Sequence, residues 1–360
     1  MYWDVEGKKC CNQCFQHPWL REYIEGASTE TGVCQYCGSP DGKLIEVSKL
    51  SDYFENVLTM FSPSNSDRGD PLVYLLQDHW AIFEEEFFLS NSAASLLEDV
   101  MMAAWDDDSG EPPVDAHELY VRAHPVDYVE RFEIFLEESA ETADAEPDFP
   151  EILREDIWRY EETVPAGKML YRARLGWEAE QAGKKTAWAR PHIGPNPAGP
   201  PGRANKKGEV VLYCADHERT AIAEVRPARG FVVSMCELRV KRDLRVLDLA
   251  QSTRTINPFL EGDGLLSYWV ELDDLLGRMA WTLATPLHRD DNPLDYAPSQ
   301  KLSEFAKEVG FDGVRYPSAM DTEGMNLVIF DPCACDIGNS RLVKVTTVEL
   351  EYTDELWRLN

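Results

Sequence analysis

Residues 202–225 read G-R-A-N-K-K-G-E-V-V-L-Y-C-A-D-H-E-R-T-A-I-A-E-V, and they decide how the second half of the chain folds. A turn rich in Gly, Asn and Lys leads into the apolar run V-V-L-Y-C-A, which has the length and composition of a strand. After Asp216 and His217 the pattern turns helical and presents Glu224 among Ala221, Ile222, Ala223 and Val225. A carboxylate in such company needs a partner or a raised pKa.

Outward from this segment, further strand-like runs occupy 169–175, 231–240, 244–249, 313–316, 327–330 and 342–350, with helical patterns near 264–283 and 299–309 between them. Strands and helices mixed without strict alternation predict an α+β domain over 166–360. Residues 190–208, R-P-H-I-G-P-N-P-A-G-P-P-G-R-A-N-K-K-G, predict a loop with neither regular helix nor strand, and a loop of that length inside a compact domain is usually functional.

Two other stretches stand out. In M-L-Y-R-A-R-L, residues 169–175, Arg172 interrupts an apolar strand. In L-S-E-F-A-K-E-V-G-F-D-G-V-R-Y-P-S-A-M-D-T-E-G-M-N-L-V-I-F-D-P, residues 302–332, Ser318 sits in a turn between two strands. Each feature alone has an ordinary structural explanation: an ion pair, a wet helix face, a turn. Taken together and in this order, they resemble the RES domain family, named for its Arg, Glu and Ser. The resemblance covers about 168–335 and includes the strand-borne Y-R, the G-R-x-N loop before L-Y-x-A, the A-x-A-E helix and G-F-D-G-V-x-Y-x-S before N-L-V-x-F. One departure is G-R-A-N, where an aromatic often precedes the Asn.

The resemblance implies an ADP-ribosyltransferase-like fold that consumes NAD+. Arg172, Glu224 and Ser318 are then the catalytic residues, and Tyr171, Arg203, Asn205, Tyr213 and Tyr316 line the substrate pocket. The expected activity is cleavage of the nicotinamide–ribose bond, as a glycohydrolase or phosphorylase. Transfer of ADP-ribose to a protein and an inactive binding module are the alternatives. In bacteria such domains are typically toxins, so an antitoxin or regulatory protein is an expected partner and antiphage defence an expected setting. The chemistry is consistent: a guanidinium grips a pyrophosphate through parallel charge-assisted hydrogen bonds. Loss of neutral nicotinamide leaves a cationic ribose that one carboxylate can stabilise.

Charge divides the chain. Over 360 residues the formal net charge is −30, with −2 in 1–50, −25 in 51–165 and −3 in 166–360. That acidity argues against a nucleic-acid grip or a polybasic membrane anchor. The start, M-Y-W-D-V-E-G-K-K, has no apolar signal region, and no apolar run approaches a membrane span, so a soluble cytoplasmic protein, with homo-oligomerisation possible, is expected.

Nine cysteines, an odd count, point to a reducing compartment. Cys11-x2-Cys14 and Cys34-x2-Cys37, nineteen residues apart, predict a structural Zn2+ site within 1–50, because four thiolates leave no open position. Cys10 is an alternative to Cys11, and His17 a lesser candidate. Residues 51–165 predict an acidic helical domain with a regulatory or scaffolding role. One helix is expected to open with Asp70 as N-cap, Pro71 as first residue, and Leu72, Leu75, Leu76, His79, Phe83 and Phe87 on one stripe. Other stripes run through Leu97, Val100, Met101 and Ala104, through Val126, Val129, Phe132 and Leu136, and from Pro150 through Leu153, Ile157 and Tyr160. This region resembles the helical extensions of RES proteins grouped with HEPN proteins. The HEPN ribonuclease motif Arg-x4-His is missing: Arg122 lies two residues before His124, and Arg68 eleven before His79.

Overall fold

The computed structural model describes residues 5–64, 69–104, 116, 118–122, 128–142, 154, 156–195, 201–250, 256–260, 265–285 and 296–348. The chain divides into two compact units, residues 1–127 with 253–274 and residues 128–252 with 275–360. It is an α+β protein with its large mixed sheet in the second unit.

The first unit opens with an antiparallel sheet in which Lys9–Cys11 and Glu30–Gly32 flank Gly42–Glu46. Gly42 lies against Cys11, where an added Cβ would come within 2.5 Å of the Cys11 Cβ. Any side chain there would displace Cys11, whose Sγ would lie 2.8 Å from the added atom. Helices Pro18–Ala27, Ser51–Leu58, Leu72–Trp80, Glu85–Leu89 and Ser92–Ala104 close over a core that includes the fully buried Phe15, Phe54 and Phe83.

Two local expectations change here. Asp70–Pro71 is not a helix start; it pairs with Leu119–Arg122, which pairs in turn with Phe61–Pro63. The helix begins at Leu72, and Ala81, left-handed at φ 47°, ends it before Phe83. Capping chemistry at Asp70 has yielded to long-range strand pairing. Of the stripe beginning at Pro150, Ile157–Tyr160 is a 3-10 turn and Glu161–Val164 a strand; Pro150 and Leu153 lie outside the described residues, as does Val126.

The second unit is built on eight strands: β1 Glu161–Val164, β2 Met169–Leu175, β3 Leu212–Ala215, β4 Val232–Val240, β5 Leu244–Asp248, β6 Gly313–Pro317, β7 Met325–Ile329 and β8 Cys335–Lys344. Their order is β8-β4-β2-β3-β7-β6-β5-β1, antiparallel except for the parallel pair β5 and β6. A parallel pair needs a crossover, and helices Leu265–Ala284 and Ala297–Val309 lie on that connection. β8 starts at Cys335, well before the 342 read from the sequence, because D-I-G-N-S has no apolar alternation and takes its strand form from pairing with β4. On one face Leu170, Leu212, Cys214, Cys236, Leu238, Val246 and Leu327 form the core. On the other, Ala221 of helix Glu218–Glu224 packs on Ala215 and Met235, with Tyr171 and Ala173 alongside. Small residues at these contacts let that helix lie close to the sheet, which puts its last residue, Glu224, beside the ends of β6 and β7. The loop at 190–208 is not wholly irregular, since Arg190–Ile193 makes one helical turn; residues 196–200 lie outside the described part.

Candidate active site

A cleft of about 330 Å3 in the second unit is lined by Tyr171, Arg172, Arg203, Tyr213, Glu224, Tyr296, Tyr316 and Asn326, among others. Its size suits a small-molecule ligand. Six of the eight site residues read from the sequence line it; Ser318 touches it through Glu224, and Asn205 lines the adjoining pocket, which shares Arg172 and Tyr213.

Glu224 is the centre of this arrangement. Its Oε1 accepts from Ser318 Oγ at 2.6 Å and from Asn326 Nδ2 at 2.6 Å. Both donors are buried, whereas Glu224 itself reaches solvent, so the carboxylate is fixed through one oxygen. Oε2 has no partner among the described residues. Ser318 Oγ also accepts from the Met320 N–H at 3.1 Å, so the hydroxyl is used on both sides. Such a serine orients a carboxylate; among the described residues no histidine touches it to make it a nucleophile.

Arg172 projects from β2 and donates from Nε to the Ile193 carbonyl at 2.7 Å and from Nη1 to the Tyr213 carbonyl at 2.6 Å. These bonds take two of the five guanidinium N–H groups and tie the 190–193 turn and β3 to the strand. Burial pulls the Arg172 pKa down from its ordinary value, yet arginine remains charged at neutral pH. No carboxylate pairs with it among the described residues.

The G-R-A-N turn has its own internal bonding. Tyr213 Oη donates to Asn205 Oδ1 at 2.8 Å and accepts from the Ala204 N–H at 2.8 Å, and burial pushes the Tyr213 pKa up to about 12. Asn205 therefore shapes the turn, while Arg203, anchored to the Leu283 carbonyl at 2.7 Å, lines the cleft. Gly202 must be glycine, since an added Cβ would lie 2.9 Å from both Tyr213 Oη and Asn205 Oδ1. Burial likewise raises the pKa of Tyr316, and the phenol stays protonated.

Two cleft residues with hydrogen-bonding side chains, Asn326 and Tyr296, were not among the site residues read from the sequence. Asn326 was visible as a polar position inside the apolar N-L-V-I-F strand, which is the signature of a buried hydrogen-bonding role. Tyr296 precedes helix Ala297–Val309 in a stretch without periodicity and gave no signal.

In the first unit the sulfur atoms of Cys11, Cys14, Cys34 and Cys37 all lie within 4.8 Å of one another. Neighbouring Sγ–Sγ distances are 3.5, 3.5 and 3.9 Å. Tetrahedral zinc with Zn–S bonds of about 2.3 Å requires sulfurs about 3.8 Å apart, so these residues fit the ion. Cys10 is buried but outside the cluster, and burial raises its pKa; His17 is also outside. Among the described residues no helix is long and apolar enough to cross a membrane.

No curated protein matches the chain. Among solved structures it is similar to a chain of the M. tuberculosis MbcT-MbcA toxin-antitoxin complex, at 17% identity and a TM-score of 0.29, over 55% of this chain and 93% of that one. The family model described as RES domain matches residues 169–352, just over half the length, and the chain belongs to the RES domain family.

Proposed function

We propose that the protein degrades NAD+ by breaking the bond between nicotinamide and ribose, with water or inorganic phosphate as acceptor. The observation that carries this reading is the Glu224 carboxylate, fixed through Oε1 by Ser318 and Asn326 and left with Oε2 unpartnered in a cleft that also holds Arg172 and Arg203. The guanidinium groups bind the pyrophosphate. As the bond breaks, its electron pair leaves with nicotinamide, which departs neutral and needs no general acid. Positive charge develops on the ribose, and Glu224 stabilises it. The acceptor oxygen then bonds to the anomeric carbon, and a proton from attacking water passes to Glu224 or to solvent. Tyr171, Tyr213 and Tyr316 shape the walls.

Family membership supports a role as a bacterial toxin or antiphage effector, with an antitoxin or regulatory protein as partner. The cysteine cluster holds a structural zinc, and the acidic helical region regulates or scaffolds the catalytic part. Released nicotinamide, followed with and without phosphate, tests the activity; Glu224→Gln should cut it on the order of 10²–10³-fold. Equal release by wild type and variant would defeat the assignment. Metal analysis should return stoichiometric zinc that Cys34→Ser abolishes, and a normally folded, metal-free protein would remove the zinc reading.

A further inference from the structure

The segment 318–324, between β6 and β7, is held at several points. The Ser318 N–H donates to the Gly324 carbonyl at 2.9 Å, and the Gly324 N–H to the Asp321 carbonyl at 2.8 Å. At its centre, Asp321 Oδ2 accepts from Thr220 Oγ1 at 2.7 Å, and Thr220 lies one helical turn before Glu224 on the same helix. Thr220 is fully buried and Asp321 is 8% exposed. Among the described residues the cation near Asp321 is Arg219, at 3.6 Å, and its own side chain is largely in solvent. A buried carboxylate with so loose a counter-charge is costly, and a neutral residue would fill the space more cheaply. Gly324 completes the contact: an added Cβ would fall 2.4 Å from Thr220 Oγ1 and 2.9 Å from Asp321 Oδ2.

The geometry points to Asp321 as a positioning residue that, through Thr220 and the Gly324 backbone, pins the Ser318 turn to the Glu224 helix and so keeps Ser318 Oγ on Glu224 Oε1. This rests on the proposed role of Glu224. The pin joins the turn to the helix at one end, and the catalytic hydrogen bond joins them at the other. Without it Ser318 can drift, and the carboxylate loses one of the two donors that fix its oxygen. Misplacement by about 1 Å costs on the order of 10²-fold in rate.

The test uses the full chain carrying Asp321→Ala, Thr220→Val or Thr220→Ser. Asp321→Ala and Thr220→Val should lower kcat for nicotinamide release about 10–100-fold and leave KM within about threefold, while Thr220→Ser, which keeps the hydroxyl, restores most of kcat. Amide exchange at Ser318 and Gly324 should quicken in Asp321→Ala and Thr220→Val and stay slow in Thr220→Ser. Unchanged exchange in the two disruptive variants overturns the pin, as does a kcat loss that follows only the fraction of unfolded protein. Exchange is readable even if wild type releases no nicotinamide, so failure of the activity and failure of the pin are distinguishable.

Discussion

Arg172 and Arg315 both interrupt apolar strands of one sheet, β2 and β6, and their surroundings are opposite. Arg315 is surrounded by carboxylates: Glu162 at 2.9 Å, Asp248 at 2.9 Å and Asp216 at 3.1 Å. Arg172 meets two backbone carbonyls and no described carboxylate. Burial works against the charge of Arg315, but Asp248, Asp216 and Glu162 outweigh it and its pKa is raised, whereas burial lowers that of Arg172. An arginine with three anions is neutralised by the fold. One with none keeps its positive charge for a ligand, and Arg172 lines the cleft.

The largest expected effect breaks the Arg172 half of this contrast. Arg172→Lys keeps the charge but loses the planar fork, so kcat/KM for NAD+ should fall on the order of 10²-fold, with Arg172→Ala falling further. Because the same fork holds the Ile193 and Tyr213 carbonyls, a modest fall in melting temperature should accompany it. If Arg172→Ala keeps activity within threefold of wild type, the free charge at this position has no part in binding the anion.

Arg315→Met tests the other half. Removing the central cation leaves three carboxylates facing one another, two of them mostly buried, and should cost about 2–4 kcal/mol of stability, below the full figure for a buried pair because Glu162 is partly in water. Urea unfolding reads this directly. KM for NAD+, measured where the variant is folded, should move less than threefold; a large rise in KM with stability intact would reverse the assignment of the two arginines.

The two arginines also show how far the sequence could be read. Arg172 and Glu224 stand out locally as charges among apolar neighbours, whereas Ser318, an ordinary turn residue by itself, is legible only from the order of all three motifs along the chain. The strands of the large sheet were legible from their apolar runs, except β8, whose residues do not alternate, and β1, whose neighbours mimic a helix. What stayed hidden was pairing across the chain. Glu162, Asp216 and Asp248 stand 153, 99 and 67 residues from Arg315, and nothing local links them. Asn326 likewise reaches Glu224 across 102 residues. Local patterns fix which residues are unusual, and only the sheet order fixes whom they meet.

The smallest effect probes the balance inside the Arg315 cluster. Burial, with Asp248 and Asp216 close by, holds the Glu162 pKa above its ordinary value despite the attraction of Arg315. A carboxyl raised in the folded state binds its proton more tightly than in the unfolded chain. Its contribution to stability is therefore complete below the ordinary pKa of about 4.3 and is lost as pH rises through the raised value. Glu162→Gln removes that loss, so the variant should gain on wild type between about pH 4 and pH 7. The gain should be only about 0.3–0.5 kcal/mol, because the Glu162 side chain is 41% exposed and water screens it. Paired urea titrations at the two pH values measure the difference. If wild type gains on Glu162→Gln instead, attraction to Arg315 outweighs burial and the two neighbouring acids. The charge of Glu162 would then stabilise the fold on balance, with its pairing to Arg315 stronger than the repulsion of Asp248 and Asp216.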